Sequence, residues 1–170
     1  RVAIAEKILK TAENYGIDKK DIIFDTLAMA ISADPNAAHA TVDSLKEIKE
    51  RLGCRTSLGV SNISFGLPNR DFVTSTFFAM ALENGLSAAI MNPHSADMMK
   101  TYYAYRALHG YDENCADYIN FASNFVPAAT TGAAAPQPAA TQQEFKSALQ
   151  KAVVKGLKEQ AGELTAQLLK

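Results

Sequence analysis

The chain predicts an α/β fold on a parallel sheet, and three features of the sequence carry that expectation. A helical stretch is followed by strand–helix three times over, glycines punctuate the helix ends, and a polar residue stands at the end of each predicted strand. A strand that feeds a crossover helix returns to the same edge of its sheet, so the three strands should run parallel.

The elements follow in order. Val2 to Tyr15 places Ile4, Ile8 and Leu9 on one helical face and stops at Gly16, which enters positive φ without a Cβ penalty. Asp21-Ile22-Ile23-Phe24-Asp25 reads as a short buried strand with a β-branched centre and polar ends. Asp34-Pro35 fits an N-cap followed by proline at the first helical position. From there Val42, Leu45, Ile48 and Leu52 recur at helical spacing until Gly53. A second strand is expected from Thr56 to Phe65, then a helix from Asn69 to Asn84 closed by Gly85. Ala88-Ala89-Ile90-Met91 is a third, short apolar strand, Ser95 to Leu108 is helical, and more helix is expected between Glu113 and Phe125.

In parallel α/β folds, barrel or open, the C-terminal strand ends gather around one site. Asp25, Asn62 and Asn92 each end a predicted strand, so the fold class alone brings three polar side chains toward one mouth. Each can equally cap the helix that follows, and the residues by themselves leave both readings open.

Composition excludes several function classes. The 170 residues are 48% apolar and 21% charged, and 17 basic against 18 acidic residues leave a net charge of -1, which gives no basic stripe for nucleic acid. No stretch approaches the roughly 18–20 apolar residues that span a bilayer. Cys54 and Cys115 are too few for a disulfide scaffold and lack metal-ligand spacing. The expectation is a soluble, cytoplasmic protein. The chain opens on Arg1 inside an amphipathic pattern and stops at Lys170 with a helical pattern still running, so it also reads as a piece of something longer.

Pro127 to Thr141 carries three prolines, no charge and no large apolar residue, and reads as an inter-domain linker. Thr141 and Glu144 then have capping-box spacing ahead of a long helix. Phe145, Leu149, Val153, Leu157, Leu164 and Leu168 form its apolar stripe, which needs the rest of a helical bundle to cover it. Glu159 and Glu163 among the lysines of its other face argue against a membrane-surface helix.

The most informative stretch is Leu58-Gly59-Val60-Ser61-Asn62-Ile63-Ser64-Phe65-Gly66-Leu67-Pro68-Asn69-Arg70. It leaves a strand through small and polar residues and enters a helix after Pro68; Gly59 and Gly66 permit close approach of backbone to a ligand. Asn62 can both donate and accept hydrogen bonds there. Gly59 to Pro68 resembles the strand-seven signature of the pterin-binding methyltransferase barrels, Asp21 to Asp25 resembles their sixth strand, and Ala89-Ile90-Met91-Asn92-Pro93 their eighth. Ala148 to Lys170 resembles the first helix of the helical cap on corrinoid-binding modules. A pterin barrel, a Pro/Ala linker and a corrinoid cap, in that order, is similar to the arrangement of the cobalamin-dependent methionine synthases.

The resemblance implies a partial TIM-type (β/α)8 pterin-binding barrel over 1–125, holding its last three βα units, a linker over 126–141, and the first helix of a cobalamin-binding cap over 142–170. It implies transfer of the methyl of 5-methyltetrahydrofolate to cob(I)alamin and on to homocysteine, with the piece alone inactive. The rival readings are a methyltetrahydrofolate:corrinoid protein methyltransferase of another pathway and a non-enzymatic scaffold whose open strand edges favour pairing with another copy. Asn62 matches the family asparagine at N5 of the folate, and Asp25 the aspartate facing the pyrimidine edge of the pterin. Arg70 is expected to meet the aminobenzoyl-glutamate end or close the site, and Asn92 to sit at a neighbouring strand mouth. Asp25 is followed by Thr26, where the family's sixth strand commonly reads Asp-Pro. His94 reads as an ordinary loop histidine, His39 and His109 as solvated, Met91, Met98 and Met99 as core filler, and Tyr102, Tyr103 and Tyr105 as helix packing. No metal set and no cobalt-ligating Asp-x-His-x-x-Gly motif occurs in the chain.

Overall fold

A computed structural model of the chain describes residues 1–125, 147–154 and 158–168. Helix α1 (Val2–Asn14) leads to strand β1 (Ile23–Asp25), helix α2 (Ala37–Glu47), strand β2 (Arg55–Gly59), helix α3 (Arg70–Glu83), strand β3 (Ala88–Ile90), and helices α4 (Ala96–Leu108) and α5 (Ala116–Asn124). Helices α6 (Ala148–Val154) and α7 (Lys158–Leu168) complete the described chain. The expected α/β class is observed: the strands form one parallel sheet in the order β1-β2-β3. Asp25 stands opposite Ser57, and Gly59 opposite Ile90.

The core lies between this sheet and its helices. On β2, Thr56 and Leu58 are fully buried while Arg55 is exposed, the alternation of a strand covered on one face. Val42 and Leu45 of α2, Phe77, Phe78 and Ala81 of α3, and Met98 of α4 pack around Leu58 with Val60 and Ile63. Deleting a ring such as Phe78 from a core of this kind typically costs about 3–5 kcal/mol. A smaller cluster joins Ala5, Phe24, Ile48 and Cys54. The tyrosines pack helices as expected: the Tyr103 ring stacks on Phe121 at 4.5 Å, and the Tyr105 hydroxyl donates to the Leu82 carbonyl.

Several expectations need correction. Helix α1 buries Ala5 and half-buries Leu9, whereas Ile4 is 64% exposed and Ile8 also stands in solvent; the small Ala5 allows the close approach to Phe24 and Ile48. Strand β1 starts later than Asp21, because Lys19–Asp21 coil into a 3-10 turn whose Lys20 N–H donates to the Asp18 carboxylate. Its buried residue is Phe24, and Ile23 lies on the open face. Asp34 does not cap α2 directly; it accepts the Asn36 N–H and closes a turn just ahead of the helix. Strand β2 ends at Gly59, and Val60–Ser64 form a 3-10 turn. Val60, Ile63 and Ser64 are all fully buried, a helical spacing that a strand would split between two faces. Strand β3, at one edge of the sheet, is exposed at all three residues, two of them the small Ala88 and Ala89. His109 is exposed as read, and its Nε2 lies 2.9 Å from the Glu83 carboxylate.

The expected linker, the Thr141–Glu144 capping box, Phe145 and Leu157 lie outside the described residues. Of the expected terminal stripe, Leu149 and Leu164 are half-buried, and Val153 and Leu168 exposed. Among the described residues no helix is long and apolar enough to cross a membrane.

Helix α5 begins on a buried carboxylate. Asp112 accepts the backbone N–H groups of Asp117 and Tyr118 at 3.0 and 2.9 Å, and these bonds, with the nearby Arg106 cation, hold its pKa below the ordinary value. A carboxyl whose folded pKa is depressed stabilises the fold above its unfolded pKa and loses that contribution as pH falls. Asp112→Asn should therefore unfold at lower urea than the parent chain at neutral pH. The gap should close as the pH drops below about 4, measured by circular dichroism; a gap independent of pH would contradict the assignment.

Candidate functional site

The C-terminal ends of the three strands face the same way because the strands are parallel. Asp25 closes β1, is exposed, and accepts the Leu27 N–H on Oδ1 at 2.8 Å, where Leu27 takes the left-handed φ of 60°. The loop that follows is tied across to the turn after β2. Ile31 N–H donates to the Ile63 carbonyl at 3.0 Å, and the Ser32 hydroxyl to the Phe65 carbonyl at 2.8 Å. Thr26 is buried, and its hydroxyl is without a hydrogen-bond partner among the described residues.

Asn62 stands exposed in the middle of the Val60–Ser64 turn, three residues beyond the strand end, and takes no side-chain hydrogen bond among the described residues. Gly59 sets its place. The backbone there has an ordinary φ of −76°, but a Cβ would meet the Asn62 Nδ2 at 3.0 Å, so the missing side chain lets the amide lie back over the end of β2.

Arg70 opens α3 after Asn69, which takes a left-handed φ of 46°. Its Nε donates to the Ser64 hydroxyl at 3.0 Å and its Nη2 to the Ser61 carbonyl at 2.6 Å. Ser64 is fully buried and lies 2.8 Å from the Thr74 hydroxyl. Asn92 follows β3; its Oδ1 accepts the His94 N–H at 3.0 Å and its carbonyl the Ser95 N–H at 3.1 Å, which turns the chain into α4.

A cleft of about 470 Å³ opens between the turn after β2, the start of α3 and the start of α4, lined by Ser61, Arg70, Asn92, His94 and Asp97 among others. Of the four residues singled out in the sequence, Arg70 and Asn92 share this cleft, while Asp25 and Asn62 lie outside its lining at the mouths of β1 and β2. Ser61, Ser64 and Thr74 were missed. The signal for them is helical spacing, Ser61 to Ser64 across the turn and Arg70 to Thr74 across one turn of α3. Among the described residues no group of three His, Cys, Asp or Glu side chains could hold a metal ion.

A parallel α/β scaffold that presents uncharged amides and one carboxylate at its strand mouths suits a neutral, hydrogen-bonding heterocycle. Residues 2–92 match the family model described as pterin binding enzyme, over half of the chain, and the chain belongs to that family. It is 30% identical over 121 residues to a methylcorrinoid:tetrahydrofolate methyltransferase of Eubacterium limosum, covering 69% of this chain and 44% of that protein. Methionine synthases of Mycobacterium leprae and Mycobacterium tuberculosis are 35% and 34% identical over 100 residues, covering 54% of this chain and 8% of each. The chain thus spans less than half the length of these curated relatives.

Gly59→Ala tests the geometry without any ligand. The ordinary φ predicts a melting temperature within about 3 °C of the parent chain. The side-chain amide resonance of Asn62 should move in a 1H–15N correlation spectrum; an unmoved resonance would mean that the added methyl is absorbed elsewhere.

Proposed function

We propose that this chain supplies part of the folate site of a methyltransferase that moves a methyl group between 5-methyltetrahydrofolate and a corrinoid, within a cobalamin-dependent methionine synthase that passes it on to homocysteine. The observation that carries this reading is the unbonded, exposed amide of Asn62 held over Gly59 at the mouth of β2. Tetrahydrofolate leaves poorly unless N5 is protonated as the N–CH3 bond breaks. An amide fixed beside N5 stabilises that protonated form as charge develops, and costs no reorganisation at the moment of reaction. Asp25 accepts from the pyrimidine edge of the pterin with the carboxylate capacity left after its bond to Leu27. Asn92 flanks the site at the next strand mouth.

Cobalamin in its cob(I) form supplies the nucleophile that takes the methyl, brought by a corrinoid-binding domain. Asn62, Asp25 and Asn92 serve the donor side of the reaction. The resemblance of Ala148 to Lys170 to the start of a corrinoid cap supports methionine synthase. Among the described residues β1 and β3 each pair on one side only, which supports a reading in which further strands complete the barrel in the whole enzyme. The second reading, a methyltransferase serving a separate corrinoid protein, is favoured by the longer match to the Eubacterium limosum relative. Homocysteine as an acceptor of label separates the two.

Two substitutions in the full-length enzyme test the site. Asn62→Ala should slow methyl transfer from methyltetrahydrofolate to cob(I)alamin by about tenfold or more. A rate equal to the parent's would remove its role. Asp25→Ala should weaken methyltetrahydrofolate binding by about tenfold in calorimetry, as loss of a charged hydrogen-bond acceptor does. An unchanged Kd would place Asp25 outside the pocket.

A further inference from the structure

We propose that Arg70 is a positioning residue, one that clamps the Val60–Ser64 turn so that Asn62 stays at the mouth of β2, and that it does not bind the folate tail. The inference rests on the role given to Asn62 above. An arginine recognises a carboxylate through a fork of parallel N–H donors, and the edge formed by Nε and Nη2 is such a fork. In this chain that edge is already occupied: Nε donates to the Ser64 hydroxyl and Nη2 to the Ser61 carbonyl, the residues that bracket Asn62. That edge cannot turn to a glutamate carboxylate without releasing the turn, and only the end-on pair of Nη1 and Nη2 keeps free N–H groups.

The hydroxyls behind the guanidinium cannot hold the turn alone. Ser64 Oγ lies 3.1 Å from the Ser61 carbonyl and 2.8 Å from the Thr74 hydroxyl, and Thr74 Oγ1 lies 2.8 Å from the Arg70 carbonyl. Each hydroxyl carries one proton, so the pair has two protons for these three contacts. One contact is always without a proton, and when Ser64 turns its proton to Thr74 the Ser61 carbonyl loses that donor. The guanidinium carries donors only and supplies the constant donor. The Phe65 ring, 5.8 Å from the guanidinium carbon, lies on the far side of the same turn from Ser61 in sequence and adds a cation–π contact. Arg70 itself is exposed, so removing its side chain opens no core cavity.

Two measurements on Arg70→Ala and Arg70→Lys test the proposal. In the 170-residue chain, with folding checked by circular dichroism, the Asn62 side-chain amide resonance should shift and broaden in Arg70→Ala and move less in Arg70→Lys, whose ammonium reaches one acceptor. An unmoved resonance in both would overturn the clamp whatever Asn62 does in catalysis. In the full-length enzyme, with 5-methyltetrahydrofolate and cob(I)alamin, Arg70→Ala should lower kcat about tenfold while KM for the folate stays within about threefold. In an Asn62→Ala background the same change should cost no more than about a further twofold, because a residue acting through Asn62 has nothing left to position. A KM raised about tenfold with kcat kept, or a full additive loss in the double variant, would make Arg70 a folate contact and overturn the proposal. An effect of Arg70→Ala on the resonance with no effect of Asn62→Ala on the rate would uphold the clamp and instead discard the role of Asn62.

Discussion

Leu58, fully buried on the middle strand, is the residue around which the described fold is organised. A parallel sheet must be covered by the crossover helices that connect its strands, and α2, α3 and α4 all deliver apolar side chains to the face that Leu58 occupies. Thr56, the other buried residue of β2, donates its hydroxyl to the Gly85 carbonyl, and its N–H donates to the Ser87 hydroxyl. Those bonds fix the entry to β3 against β2 and set the register in which Gly59 faces Ile90. The ends of the strands are therefore placed by packing on the helix-covered face of the sheet.

The same constraint explains the turn that carries Asn62. Val60 and Ile63 must reach the core from a segment that has just left the sheet, and a 3-10 turn puts both on its inner side. That leaves Ser61 and Asn62 on the outside, where Arg70 from the start of α3 and the loop after β1 tie the turn down from two directions. Asn62 is thus an exposed side chain on a backbone held by buried residues and cross-links, the condition under which a single amide can be aimed at one atom of a ligand.

Much of this was legible in the sequence, in a way that follows from which interactions are local. The parallel strand order, the helix after Pro68 and the glycine stops at Gly53 and Gly85, with φ of 64° and 93°, depend on spacing and on backbone chemistry that one segment carries by itself. The placing of Asp25 and Asn92 near strand ends was legible for the same reason, and each turned out to serve its own turn as well. What depends on a partner from another element was not legible. The open face of α1 at Ile4, the exposure of β3, and the Arg70–Ser64–Thr74 cluster all turn on which neighbour arrives. The Val60-x-x-Ile63 spacing was present in the sequence, but the apolar run of β2 masked it and read as continuing strand.

The central claim is that a clamped turn at the end of β2 aims Asn62 at the reacting nitrogen of a folate. The structure of the full-length enzyme with 5-methyltetrahydrofolate bound tests it most directly. The account predicts the Asn62 amide about 3 Å from N5, with the Arg70 guanidinium still on Ser61 and Ser64. A pterin seated elsewhere, or Arg70 swung onto the glutamate of the folate with the turn released, would contradict it.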